Sequence, residues 1–565
     1  MRNWIRAGGI WLVMSLLVLA CAPASAPGGA RQQDSEVPKP ALKKKVTVGL
    51  RGEPTTLNNN LGRAGAGRVY GSTEMEQLLH TGLSVEDDQV EQRPALAEAV
   101  PSVENGLWRL FPDGGMETTW RIRPGSQWHD GVPLTSADFV FTMQVVQDKE
   151  LPEFGNIAYD SLESVEARDP LTIVAKWKKS FIWAHTLFSG TRGLPHPRHI
   201  LEREYTENKA GYRDLPYWTE QFVGTGPFKL REFVRGSHMI VDANDQYALG
   251  RPRIDEIEIK FIQDANALAA SILAGVVDLT VSGQGTLSLD QAIQVRDQWS
   301  DGKVYPVLSG AVGAFPQFLN PTPSVILDAP FRRALLHAID RQLLVDTLQN
   351  GLSQVAHTNF TPEQPEFKDI QGSLVRYDFD ARRAAQLIEG LGYARGPDGM
   401  FRDAAGAPLG VELRSTPGRE VNEKTTLVVA DHWRAVGVGV DVVVIPLQRN
   451  QDREYRQTRP GFEVVGQPDD VYRLHTNQVP TPETRFVGDN RMRYANPELD
   501  SLVDRYYVTI PRADRVRVLG QILNHVTDRV VLMSFFYEAG PILVGNRVRN
   551  VTSRPTWNAH EWDVT

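Results

Sequence analysis

The chain has 565 residues and a single cysteine, with 41% hydrophobic and 23% charged residues. At roughly 100–200 residues per domain this length predicts about three lobes, and the composition excludes both a multi-span membrane protein and a mostly disordered chain. Lys+Arg 61 against Asp+Glu 69 gives a net charge of −8, the wrong sign for holding nucleic acid by neutralising phosphates; one thiol excludes an intramolecular disulfide, a cysteine-based zinc site and an iron–sulfur cluster.

Arg2 and Arg6 precede an uncharged stretch, 7–20, rich in Ile, Leu, Val and Trp, which reads as the leading regions of a secretory signal. It is shorter than the roughly 20 apolar residues a spanning helix needs, and Pro23 and Pro27 stop its extension. Cys21 follows Val18-Leu19-Ala20, a segment that resembles the lipobox of bacterial lipoproteins, although Leu19 stands where a small residue is usual. That resemblance implies removal of residues 1–20 and acylation of Cys21; a plain signal peptide cut at 22–24 or 24–26 is the alternative. Residues 22–42, rich in Ala, Pro, Gly, Ser and Gln, read as a flexible tether, closed by Lys43, Lys44 and Lys45.

Val46-Thr47-Val48-Gly49-Leu50 reads as a strand ending in a loop over 53–60. The following Gly62-Arg63-Ala64-Gly65-Ala66-Gly67 reads as a loop, because its glycine spacing is not that of a dinucleotide fingerprint. Strand-like segments follow at 118–123 and 171–177. Between them Thr135 caps a helix, with Asp138 three residues on and Phe139, Met143 and Val146 on one face. Gly224-Thr225-Gly226-Pro227 permits a tight turn into a strand; a strand at 254–262 and a helix at 265–274, stopped by Gly275, come next. Beyond 311 helices dominate. Asp328 with Pro330, Asp340, Asp380, and Asn496 with Pro497 supply caps, and Pro511 opens a further helix. No Walker A sequence, His-Glu-x-x-His or Gly-x-Ser-x-Gly elbow occurs, so enzyme hypotheses lack a nucleophile with a visible base.

The block running from Trp120-Arg121-Ile122-Arg123-Pro124-Gly125 through Trp128-His129-Asp130-Gly131 to Asp138-Phe139 resembles a family signature nearly position for position. The family is that of the extracytoplasmic solute-binding proteins of ABC transporters in the oligopeptide, dipeptide and nickel group (family 5). Further blocks keep the family's order between about 46 and 545: Pro94-Ala95-Leu96-Ala97-Glu98, Gly224-Thr225-Gly226-Pro227-Phe228, Gly275-Val276-Val277-Asp278-Leu279, Arg333-Ala334-Leu335 with Ala338-Ile339-Asp340-Arg341, and Tyr494-Ala495-Asn496-Pro497-Glu498-Leu499-Asp500.

The resemblance implies an α/β, periplasmic-binding-protein-like fold of type II, two lobes joined by a hinge plus an inserted third lobe. By position, domain I takes 46–80, 215–310 and 530–565, the inserted domain II takes 81–214, and domain III takes 311–529. Crossing strands are expected near 304–307 and 532–536. The signature block itself is read as structural, with Trp120 and Trp128 packing and Asp130-Gly131 making a turn.

By the same resemblance, ligand lies between the two large lobes, contacted from 57–60, 315–320 and about 466–485. This puts forward Asn58, Asn59, Phe318 and Asn320. In peptide-binding members an aspartate ahead of the Asn-Pro-Glu-Leu-Asp block pairs with the peptide's α-amino group; here the segment reads Val464-Val465-Gly466-Gln467-Pro468-Asp469-Asp470-Val471-Tyr472, without the usual tryptophan. Asp469 or Asp470 is therefore the candidate amine anchor, the alternative being two solvated loop carboxylates. Arg485, Arg491 and Arg493 could meet a ligand carboxylate, and Phe315, Phe318, Tyr472 and Trp557 could wall a cleft, with ion pairs and core packing as the alternatives. The scattered histidines support no metal site.

The expected function is that of a lipid-anchored extracytoplasmic component of an ABC importer, a monomer without cofactor or metal and without a nucleic-acid partner. It closes on a peptide and delivers it to the permease subunits, held at the membrane through its N-terminal lipid. An oligosaccharide or other polar solute is the alternative within the fold; an extracytoplasmic hydrolase or a peptide sensor on this scaffold is the alternative outside it.

Overall fold

The computed structural model describes residues 43–64, 71–151, 154, 159, 161–190, 192–282, 285–416, 419–449 and 452–565; the signal, Cys21 and the tether up to residue 42 lie outside them. In chain order the strands of its two principal sheets are β1 (Lys45–Leu50), β2 (Trp108–Leu110), β3 (Met116–Arg121), β4 (Leu162–Asp169), β5 (Thr172–Trp177), β6 (Phe228–Val234), β7 (His238–Ala243), β8 (Glu256–Phe261), β9 (Leu279–Thr280), β10 (Gly302–Pro316), β11 (Gly410–Ser415), β12 (Gly439–Val444), β13 (Phe462–Gln467) and β14 (Met533–Gly545). Ten of them form one sheet in the order β12-β11-β13-β10-β14-β9-β1-β8-β7-β6, and four form a separate antiparallel sheet, β2-β3-β5-β4.

Two long antiparallel strands occupy the middle of the large sheet. β10 and β14 pair from Gly302 opposite Gly545 to Ala314 opposite Met533, with irregular register between Ser309 and Ala311 and again between Val312 and Gly313. Up to Ser309 the only strand beside β10 is β14; from Ala311 onward β13 pairs along its other edge. The sheet thus changes neighbours where the register shifts, at Ala311 opposite Tyr537 and just beyond the segments 304–307 and 532–536.

β1 lies inside the large sheet and alternates only at its start. Val46, Val48 and Leu50 of β1 are buried, and β1 runs parallel to both β8 and β9. One apolar core joins these residues to Trp120, Trp128 and Phe139, and to Ile542 and Trp562 from the end of the chain. Residues 81–214 therefore share a core with the first strands. A second core gathers around Leu335, Trp433 and Phe462, and a third around the helices Pro497–Val508 and Arg512–Asp528.

Local chemistry sets the helix starts. Asp138 accepts from the Thr135 N–H at 2.9 Å to open Ser136–Val146, and its other oxygen accepts from the Arg198 N–H at 3.0 Å. Asp340, Asp380 and Asn496 accept from the third backbone N–H of their helices at 3.0, 2.8 and 3.0 Å. One sequence expectation needs correction. The segment expected as loop contains a short helix, Asn59–Ala64, opened by Asn58 Oδ1 accepting from the Leu61 N–H at 3.1 Å; residues 65–67 lie outside the described residues. The chain bends at 225–227 and enters β6 at Phe228, and Gly224 and Gly226 also serve close approach, since a Cβ on Gly224 would stand 2.0 Å from the Leu79 carbonyl oxygen and one on Gly226 2.4 Å from the Leu79 carbonyl carbon.

Candidate functional site

The segment after β5 meets the helix Pro497–Val508. The Ile182 N–H donates to the Tyr507 carbonyl at 3.1 Å, and the Trp183 and Tyr507 rings meet edge to face at 5.1 Å. Beside this contact lies a cavity of about 1290 Å³. Its lining includes Glu86, Trp108, Trp183 and Arg192 from the segments before 193, and Gln364, Asp469, Asp470, Tyr506 and Tyr507 from those after 359.

Asp469 and Asp470 follow the end of β13, so the strand delivers both carboxylates to the same wall. Asp470 Oδ1 caps the short helical turn Val471–Leu474, accepting from the Tyr472 N–H at 2.9 Å and from the Tyr507 hydroxyl at 2.8 Å. Asp469 accepts from the Gln364 side-chain amide. Burial pushes the Asp469 carboxyl up from the ordinary carboxylate range, and Asp470 beside it adds to the rise. Burial, with Asp470 close by, likewise pushes the Tyr507 hydroxyl up, so Tyr507 remains a donor to Asp470. Arg192 lies over the face of Trp183, 4.9 Å from the ring centroid, and burial lowers its pKa.

Other candidates sit elsewhere. Asn59 is buried, its N–H donating to Glu76 Oε1 at 3.0 Å, and its side-chain nitrogen has no hydrogen-bond partner among the described residues. Phe318 packs edge to face on Tyr494 at 4.7 Å beneath Arg332. Asn320 and Arg485 are exposed and left-handed in the backbone, with φ of 56° and 51°. Tyr472 packs against Tyr507 at 5.7 Å, and the Trp557 ring nitrogen donates to Thr552 Oγ1 at 3.0 Å. None of Asn58, Asn59, Phe318, Asn320, Tyr472, Arg485 or Trp557 lines the cavity. Arg491 is engaged by Glu463, and Arg493 is buried with φ of 59°.

Sequence reasoning missed Trp183, Arg192, Gln364 and Tyr507. They come from segments far apart in the chain and carry no shared motif; the pair Tyr506-Tyr507 on an amphipathic helix reads as packing until the fold is known. Among the described residues no cluster of histidine, cysteine or carboxylate side chains suits a metal ion, and no helix is long and apolar enough to cross a membrane.

Residues 91–472 match the family model described as bacterial extracellular solute-binding proteins, family 5 Middle. The chain is 25% identical over 569 residues to the oligopeptide-binding protein AppA of Bacillus subtilis (strain 168), with 98% of each chain covered. The solved structure of that AppA in complex with a nonapeptide superimposes with a TM-score of 0.68 at 22% identity, covering 93% of this chain and 99% of the other. An oligopeptide-binding protein from Thermus thermophilus, complexed with a pentapeptide, gives a TM-score of 0.69 at 23% identity over 92% and 96% of the two chains. The fold is accordingly that of the type II periplasmic binding proteins, built on the large mixed sheet. By a family match that spans most of its length and the folded core described above, the chain belongs to the bacterial extracellular solute-binding proteins of family 5.

Proposed function

We propose that this protein is the extracytoplasmic substrate-binding component of an ABC importer, and that it captures peptides in the cavity beside Asp469, Asp470, Trp183 and Tyr507. The observation that carries the reading is the cavity itself: at about 1290 Å³ it exceeds the roughly 300–1,000 Å³ of ordinary small-molecule pockets. Its walls carry carboxylates, arginines and aromatic rings together, a mixture suited to a solute with an ammonium group and mixed side chains more than to a neutral sugar. Relatives with oligopeptide-binding names support the same class.

In this reading a peptide's α-ammonium group docks at Asp470 or Asp469, where carboxylate oxygens already accept from neutral donors. Three lobes with the boundaries 46–80, 215–310 and 530–565; 81–214; and 311–529 move about β10 and β14, and ligand stabilises the closed form by touching both walls. Cys21 carries the lipid that holds the protein at the outer face of the membrane, and the protein acts as a monomer that meets the permease subunits.

Native mass spectrometry of the purified protein tests the reading. A co-purifying set of short peptides is the expected result, and a single discrete glycan mass would overturn it.

A further inference from the structure

The charges that line the cavity do not all cancel within the protein. Glu86 is held by Arg554, Glu91 by Arg93, and Arg512 by Asp369 at 3.0 Å. Two lining cations, Arg192 and Arg515, make no direct ion pair among the described residues. The Arg192 guanidinium rests on the face of Trp183, with the carboxylates of Glu86 and Asp470 acting on it through space. One nitrogen of Arg515 donates to the carbonyl oxygens of Thr509 and Ile510, at 3.4 and 2.6 Å, which leaves the rest of the guanidinium uncommitted.

Arg515 also stands near the start of the helix Arg512–Asp528, where the positive end of the helix disfavours a cation. His185 completes the group. It stacks on Trp108 at 5.7 Å and lines the same cavity; the Ile182 backbone lies close enough to act on the ring, and the buried Nδ1 makes no well-formed hydrogen bond among the described residues. Burial, with Arg515 and Arg192 nearby, lowers its pKa to about 4, so the ring is neutral at pH 7. Partly desolvated cations and a buried polar nitrogen cost free energy unless an anion or hydrogen-bonding group meets them.

We propose that His185, Arg192 and Arg515 form a carboxylate-accepting subsite in this cavity, selecting peptides that carry an acidic group close to their amino-terminal end. The proposal rests on the peptide reading above and names the ligand class. Arg192 and Arg515 come from segments far apart in the chain and both line the cavity, so a carboxylate held by both would bridge those segments. The carboxylate has two sources, an acidic side chain in a longer peptide or the terminal carboxylate of a very short one.

The test is isothermal titration of the full mature protein, stripped of carried ligand, with two peptide sets. Pentapeptides with glutamate or glutamine at the first, second or third position probe the side-chain source, and a tripeptide with its C-terminal amide probes the terminal one. Glutamate should outbind glutamine at one position by about tenfold, the worth of a charge-assisted hydrogen bond. That ratio should collapse toward one in Arg192→Gln and in Arg515→Gln, and return in Arg192→Lys. A tripeptide that outbinds its amide by a similar factor, with the same dependence on Arg192, supports the subsite with the terminal carboxylate as its source. Equal affinities within both sets overturn the subsite while neutral peptides that still bind keep the peptide reading standing. Failure of every peptide to bind overturns that reading, and the subsite with it.

Discussion

Arg491 places one guanidinium nitrogen 2.6 and 2.7 Å from the two carboxylate oxygens of Glu463, a side chain with no exposure to solvent. Arg456 approaches the same carboxylate at 2.8 Å and Arg459 at 3.7 Å. The Arg491 guanidinium is thus committed inside the protein, and three arginines converge on one glutamate. Burial alone would raise the Glu463 pKa, but the three cations outweigh it and hold the group down at about 2. Breaking a buried pair by removing one partner typically costs about 3–5 kcal/mol, so Glu463→Gln should lower unfolding free energy by that order, read from urea denaturation at pH 7. The folded pKa lies below the ordinary value of 4.5, so this stabilisation is present above that value and fades as pH falls from 4.5 toward 2. The variant should show a flatter acid arm than the parent.

Two histidines should make the fold acid-sensitive at milder pH. His129 Nδ1 accepts from the Gly224 N–H at 3.1 Å while its Nε2 lies 3.1 Å from the Gly226 carbonyl, and His80 Nδ1 accepts from the Thr225 N–H at 3.3 Å while its Nε2 lies 2.8 Å from the Pro195 carbonyl. Both geometries require a neutral ring with its proton on Nε2. Burial lowers His80 to about 4 and His129 to about 3, from 6.5. Between those values the unfolded chain binds protons that the folded chain refuses, so stability falls as pH drops below 6.5 and goes on falling to about 3. The urea midpoint should decline from pH 7 to pH 4.5, and more shallowly in His80→Gln and His129→Gln.

The amine-anchor proposal separates the two neighbouring aspartates. Asp470 is already hydrogen-bonded by a hydroxyl and a backbone amide, whereas Asp469 has one side-chain partner and a raised pKa. Asp470→Asn and Asp469→Asn should each be titrated with a pentapeptide and its N-acetyl form. Loss of the anchoring charge should weaken the free-amine peptide by about 10-fold or more and largely erase its advantage over the acetylated one. Unchanged binding in both variants would remove the anchor.

The proposed acylation of Cys21 predicts a location. Cys21→Ser should move the protein from the membrane fraction to the soluble extracytoplasmic fraction, and mass spectrometry of the parent should find a diacyl or triacyl group on its first residue. A parent chain beginning beyond residue 21 would instead fit cleavage at 22–24 or 24–26.

How much of this was legible depended on how local the determining chemistry is. Asp340, Asp380 and Asn496 announce helix starts because a cap needs only its own side chain and the next few backbone amides. The helix Asn59–Ala64 is too short to show a periodic face. The extent of β10 and β14 was hidden for another reason: residues 311–316 and 533–537 are buried without alternation, so period-two patterning vanishes where the sheet is covered on both faces. Asp469 and Asp470 could be placed by their distance from the Asn496 block. Arg192, Trp183 and Tyr507 could not, since their meeting depends on the inserted segment reaching the helix Pro497–Val508.

The paired run of β10 and β14 also carries a mechanical consequence. A ribbon of two hydrogen-bonded strands resists stretching and sliding far more than it resists twisting, and it is narrowest between Val304 and Ser309, past the pairing of β9 with Val544 and before β13 joins. Pro306 faces Pro541 in that narrow stretch, so two positions there have no amide hydrogen to donate. Motion concentrated there has essentially one soft coordinate, a torsion, and a solute's grip would then be graded by the angle at which the ribbon comes to rest.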